Sequence, residues 1–218
     1  MAALIASAFV LSTATACEDK TPDDNDPPSS ENAAGLDLSA AGCDTAGRQE
    51  LLGFFEEHRI EVRSDDPDDD LDAEDVSMFC AIAVTWGSAD NEEPSDMQYK
   101  LRVYATEAEA AEAIDNPGFI SLTPVDSRQQ NGLLQDAPAP WDEGFVWSTP
   151  DTTGYGTTEV AARIRNVLII VNFPGYIYPA PGECTGEDCG VKPSELSAWL
   201  HKKYLPMVGE NMLALIEK

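Results

Sequence analysis

Eight carboxylates crowd the eleven positions from Asp65 to Asp75, and they are the first residues in this 218-residue chain that could do chemistry. Asp66, Asp68 and Asp70 have the alternate spacing with which an EF-hand loop presents its first calcium ligands. That loop then needs a glycine for its sharp turn and, at its twelfth position, a glutamate that grips the ion with both oxygens. Leu71 and Ser77 stand there instead. The run therefore reads as a solvated acidic loop, with Asp66, Asp68 and Asp70 retained as weak calcium ligands outside the EF-hand pattern. Weak binding predicts a melting temperature that rises in millimolar calcium, and no shift would end that reading.

Thiols are the second candidate chemistry. Cys184-Thr-Gly-Glu-Asp-Cys189 offers two of the five cysteines at short spacing, but zinc needs further Cys or His ligands, and His58 and His201 stand alone far along the chain. A small local disulfide is the reading, provided the compartment is oxidising. There is no Gly-x-Ser-x-Gly elbow, no phosphate-binding glycine loop and no His-Glu-x-x-His. With forty Asp and Glu, acid/base pairs can be drawn anywhere, so none of them points to catalysis. No catalytic residue, no resident metal and no cofactor are expected.

The compartment is indicated by Ala14-Thr15-Ala16-Cys17, which closes an apolar run and opens an acidic one. Small residues before a cysteine form a bacterial lipobox, in which Cys17 is lipidated and becomes the first residue of the mature protein. Residues 1–16 are then a signal peptide, with Ala2 to Leu11 as its apolar core. No Lys or Arg precedes that core, so either the true start lies upstream of Met1 or the leader is degenerate. One lipidated cysteine leaves four to form two disulfides. Residues 17–34 carry the anchor and an acidic tether, EDKTPDDNDPPSSENAA after Cys17, with almost nothing to bury. Fully extended, that tether reaches about 55 Å, enough to hold a domain clear of headgroups.

Thirteen Lys and Arg against forty Asp and Glu give a net charge of −27. Such a surface repels nucleic-acid phosphates and anionic headgroups, so no nucleic-acid partner is expected and the membrane is reached through the lipid anchor only. Beyond residues 2–16 no apolar run is long enough to span a bilayer.

Residues 35–218 are left as a single α+β domain. A helix from Cys43 to about His58, capped by Asp44 or Thr45, presents Leu51, Leu52, Phe54 and Phe55 as its apolar stripe. Val76 to Trp86 alternates strictly, as a strand with one heavily apolar face does, and that face includes Cys80. Cys80 thus points toward the helix layer where Cys43 begins, which predicts a Cys43–Cys80 bridge and leaves Cys184–Cys189 as the second pair. Met97, Tyr99, Leu101 and Val103 face inward from a partner strand ending at Ala105. Thr106 caps a short helix that ends at Asn116-Pro117-Gly118. Phe119 to Leu122 reads as a weak strand, Gln135 to Pro140 as loop, and Trp141 to Thr149 as a strand. Gly156 to Ile164 and Val167 to Phe173 form a hairpin about Arg165-Asn166, with Asn166 taking the left-handed turn conformation. Its second arm, VLIIVNF, is apolar on both faces and should lie centrally. Ser194 caps a last helix with Leu196, Trp199, Leu200, Tyr204, Met207 and Val208 on one stripe, kinked or broken at Pro206.

The lipobox at Ala14 to Cys17, Cys43, Cys80 with Trp86, and the hairpin Arg163-Ile164-Arg165-Asn166-Val167-Leu168 together resemble the small actinobacterial envelope lipoproteins of unknown function. More distantly, the chain is similar to the extracellular sensor domains of membrane Ser/Thr kinases. The resemblance covers most of residues 43–216 and implies an antiparallel β-sheet packed by N- and C-terminal helices, similar to the Mog1/PsbP-like fold, with no enzymatic residues to carry over. The expected protein is a surface-tethered, extracytoplasmic lipoprotein domain, lipid-anchored to the bacterial cell membrane, that binds an envelope protein partner or a small ligand without catalysis. The alternatives are a carboxylate-dependent extracytoplasmic hydrolase and an acidic, cation-binding structural component of the envelope.

Overall fold

Helix α1 (Arg48–Glu57) leads into strands β1 (Glu61–Ser64), β2 (Ser77–Thr85) and β3 (Ser95–Val103), then helices α2 (Glu107–Ala113) and α3 (Val125–Asn131). Strands β4 (Leu133–Asp136), β5 (Glu143–Ser148), β6 (Thr158–Ile164) and β7 (Val167–Phe173) follow. The last helical stretch is α4 (Pro193–Trp199), a π-turn (Leu200–Tyr204) and α5 (Leu205–Ile216). This computed structural model describes residues 43–58, 60–64, 77–85, 95–118, 120, 122–151, 156–173 and 191–217. The leader, Cys17, the tether, the acidic run with Asp66, Asp68 and Asp70, and the Cys184–Cys189 pair lie outside them.

The strands make one seven-stranded sheet in the order β1-β2-β3-β7-β6-β5-β4, antiparallel throughout. It is two meanders, β1–β3 and β4–β7, sewn together where β3 pairs with β7. The doubly apolar VLIIVNF segment is β7, fourth in the order and buried on both faces, as a central strand must be. The α+β class and the antiparallel sheet are as the sequence indicates.

Alternation sorts the side chains. Cys80, Ile82 and Val84 on β2, Met97, Tyr99 and Leu101 on β3, and Ile169 and Val171 on β7 bury one face of the sheet. Over that face lie α1, through Leu51, Phe54 and Phe55, and the C-terminal helix, through Leu196, Leu200, Tyr204, Val208 and Met212. Among the described residues the other face is covered over β5–β7, where Phe145, Trp147, Ala161, Leu168 and Ile170 pack against Ala113, Ile114 and Ile120 of the α2–α3 crossover.

The Cys43–Cys80 disulfide forms, with the two Cα atoms 6.1 Å apart, and ties the segment before α1 to β2. Nearby, Tyr204 of the π-turn donates its hydroxyl to the Ala46 carbonyl. Gly47 sits at φ +83 and is pressed so closely that a Cβ there would meet the Tyr204 ring at 2.7 Å. Cys43 to Thr45 are helical as expected, but the left-handed glycine separates them from α1, which starts at Arg48 with no side-chain cap, so neither Asp44 nor Thr45 caps it.

Several local expectations are corrected. Thr106 caps α2 as read, its Oγ1 accepting from Glu109 N at 3.2 Å. Ser194 does not cap the last helix. It sits inside the first turn, and its N–H and hydroxyl donate to Asp151 at 2.9 and 2.7 Å, so the cap comes from the start of the β5–β6 connection. In the β6–β7 turn the left-handed residue is Arg165 (φ 51), held by Asp142, while Asn166 spends its amide on the Tyr104 carbonyl. No strand forms about Ile120 and Leu122; instead Val125–Asn131 is helical and Leu133–Asp136 is the edge strand β4. Pro206 neither breaks nor ends the helix. Leu205 N reaches back five residues to Leu200 O, and this widened turn relieves the clash a proline ring makes with the carbonyl four residues before it.

Candidate functional site

Three places concentrate chemistry among the described residues. The first is a buried polar cluster that fastens the α2–α3 crossover to the sheet. Glu159 on β6 is 3% exposed and accepts from Thr123 N and Thr123 Oγ1 at 2.9–3.0 Å. Burial pushes its carboxyl above the ordinary range, against the opposing pull of the Thr123 donors and the Arg128 charge. Arg128 on α3, 2% exposed, lays its guanidinium 3.8 Å over the Phe145 ring and donates to Asp115 at 2.7 Å. Trp147 Nε1 closes the cluster by donating to the Arg128 carbonyl at 3.0 Å. Arg128 Nε has no partner and Asp115 is open to solvent, but the remaining contacts tie these elements together, so the cluster's work is positioning: it sets α3, and with it β4, against β5.

The second is a groove of about 270 Å³ between α1 and α4. Phe54 forms its floor, with the His58 and Trp199 rings each 4.3 Å away. Glu57 and Glu195 stand on its rim with Lys202 and Lys203, so its formal charge is near zero on a chain of −27. The groove is below the roughly 300–1,000 Å³ of common small-molecule pockets, and its aromatic rings already stack on one another. It holds both α1 and α4 in place more than it offers space.

The third is the open edge at β4. Ala137 N donates to Gly144 O at 2.9 Å, which makes 137/144 a hydrogen-bonded pair. In an antiparallel ladder such pairs alternate, so 135/146 and 133/148 are bonded too, and Leu134 and Asp136 direct their N–H and C=O groups away from β5. The outward Asp136 carbonyl is met by His201 Nε2 at 3.1 Å. The Leu134 N–H and C=O and the Asp136 N–H remain on the edge. The side chains beside them are apolar: Leu133 is 47% exposed and Leu134 43%, one on each face of the sheet.

The opposite edge is built differently. β1 is also four residues long, but its pairing with β2 slips between Val62 and Ser64, a bulge of the kind that spoils an edge for further pairing. β4 runs in register with β5 over its whole length and has no such protection.

Of the residues singled out from the sequence, the structure places Cys43 and Cys80 together, sets His58 in the α1–α4 groove and turns His201 onto the β4 edge. No group of three or more His, Cys, Asp or Glu side chains poised for a metal occurs among the described residues. Sequence reasoning missed Arg128, Glu159 and the β4 edge. Their one legible signal is the doublet Leu133-Leu134 directly after Asn131-Gly132, a turn followed by apolar residues. Comparison with protein-family models, with curated proteins and with solved structures finds no match for this chain.

Proposed function

We propose that this is a lipid-anchored domain of the bacterial envelope, similar to the small actinobacterial lipoproteins and built on a Mog1/PsbP-like frame, that docks a protein partner without catalysing a reaction. One observation carries the reading. The three exposed large hydrophobic side chains among the described residues, Val125, Leu133 and Leu134, fall within a single ten-residue segment, and that segment runs into a sheet edge that no bulge interrupts. Apolar side chains on both faces of an edge strand, beside main-chain groups directed outward, support a docking site for an extended segment. The Cys43–Cys80 disulfide supports an oxidising compartment, and the Cys17 lipobox with its acidic tether supplies the anchor and the reach. The sheet, with helices at both ends of the sequence packed on one face, supports the frame.

Native mass spectrometry of the protein released from its own envelope tests the reading. A stoichiometric protein adduct together with a diacylglyceryl mass on Cys17 is the expected result. A bound small molecule in place of protein would move the function to the α1–α4 groove. A bare polypeptide with an unmodified Cys17 would overturn both the anchor and the partner.

A further inference from the structure

We propose that β4 is a strand-addition site, where an extended partner segment alternating apolar residues with Lys or Arg pairs to Leu134 and becomes the eighth strand of the sheet. This rests on the partner-docking reading above and names how the partner is held. The edge supplies the Leu134 N–H and C=O and the Asp136 N–H, all directed away from β5. An incoming strand takes its main-chain bonds from those groups, and its side chains alternate between the two faces of the sheet. Leu134, level with Trp147, meets it on one face, and Leu133 meets it on the other. Asp136 shares the Leu134 face, so the Lys or Arg side chains of an alternating strand lie there, stems along Leu134 and charges at Asp136, while its apolar side chains meet Leu133 on the other face.

Charge selects the occupant. A second copy of this chain could offer its own β4, but each copy carries −27, and Asp136 lies on the edge strand itself. Pairing two such edges brings two like-charged chains and their Asp136 carboxylates to one interface, whereas Lys or Arg on an incoming strand meets Asp136 with opposite charge. The arrangement of the two edges agrees. β1 is spoiled by its bulge, so added pairing is directed to one side of the sheet only.

The test uses the full chain, isotopically labelled, and two synthetic probes of about ten residues, one alternating Val with Lys and one alternating Val with Glu. Binding is followed by amide exchange at Leu134 and Asp136. The lysine peptide should protect both amides in a saturable manner at physiological salt, and the glutamate peptide should not. Leu134→Pro removes the outward N–H while leaving every bond to β5, since proline is tolerated where an edge residue faces solvent. It should weaken the lysine peptide about tenfold with the β5–β7 resonances unmoved. Should that variant not fold, Leu134→Lys keeps the backbone and should weaken the same peptide by repulsion. Lysine-peptide binding that leaves the two amides exchanging freely overturns the proposal, as does protection that grows with protein concentration alone, which would make the occupant a second copy. If the peptides fail but an envelope protein still crosslinks to position 133, docking stands and strand addition falls; if neither binds, both fall.

Discussion

Replacing both Cys43 and Cys80 by alanine removes a cross-link between residues 37 apart in sequence. The bridge acts chiefly on the unfolded chain. Closing a loop of that length withdraws about 13 cal/mol/K of chain entropy, or about 4 kcal/mol at 25 °C. For a domain of this size a loss of 4 kcal/mol lowers the melting temperature by roughly 8–16 °C. Both cysteines are buried, at 4% and 1% exposure, so trimming them adds a packing loss that the entropy figure does not contain. Urea denaturation followed by tryptophan fluorescence separates these contributions. Reduced wild type keeps the sulfur atoms and loses the constraint, while C43A/C80A loses both. The urea dependence should also steepen in C43A/C80A, because the freed chain exposes more surface when unfolded. Any further effect of reductant on C43A/C80A reads out the expected Cys184–Cys189 bridge. A loss below about 1 kcal/mol in both the reduced protein and the variant would refute the loop-closure reasoning.

Two glycine substitutions should move stability in opposite directions. Gly209→Ala places a methyl group 2.8 Å from the Pro140 ring and 3.0 Å from Trp141 Nε1, which itself bonds the Leu205 carbonyl, and should cost about 1–3 kcal/mol by denaturant titration. Gly53→Ala on α1, with nothing within 4 Å of the new methyl, should add about 0.4–1 kcal/mol. The third prediction concerns pH. Glu159 has its carboxyl raised by burial, so the folded state holds that proton more tightly than the unfolded one, and stability falls as pH climbs from the unfolded value through the raised folded one. Wild type should therefore lose stability relative to Glu159→Gln between pH 4.5 and the point where Glu159 is ionised, and the gap should be constant above it. A wild-type stability that rises relative to Glu159→Gln over that range would contradict the burial argument.

The fold was legible where burial imposes a period. Cys80, Ile82 and Val84 against Met97, Tyr99 and Leu101 is alternation that only a one-sided strand satisfies, and VLIIVNF can only be buried on both faces. The α3–β4 unit was illegible because a seven-residue helix and a four-residue strand are too short to show a period, and Asn131-Gly132 between them reads as loop. Residues that act at a distance were hidden for a different reason. Asp151 caps a helix 43 positions later, Arg128 reaches Asp115 across a loop, and Thr123 meets Glu159 from 36 positions away. Local sequence holds no trace of such pairs. Pro206 shows the reverse case: the signal was plain, but its outcome depended on whether the preceding turn could widen, and Leu200–Tyr204 does so.

The most direct test of partner docking at β4 is position-specific photo-crosslinking in intact cells with the tether in place. A photoreactive residue at position 133 or 134 should yield one dominant protein adduct, abolished by Leu134→Pro when the probe is at 133. The same group at exposed Glu109, on α2, should yield none. Equal adducts from positions 133 and 109, or none from the β4 edge, would contradict the account.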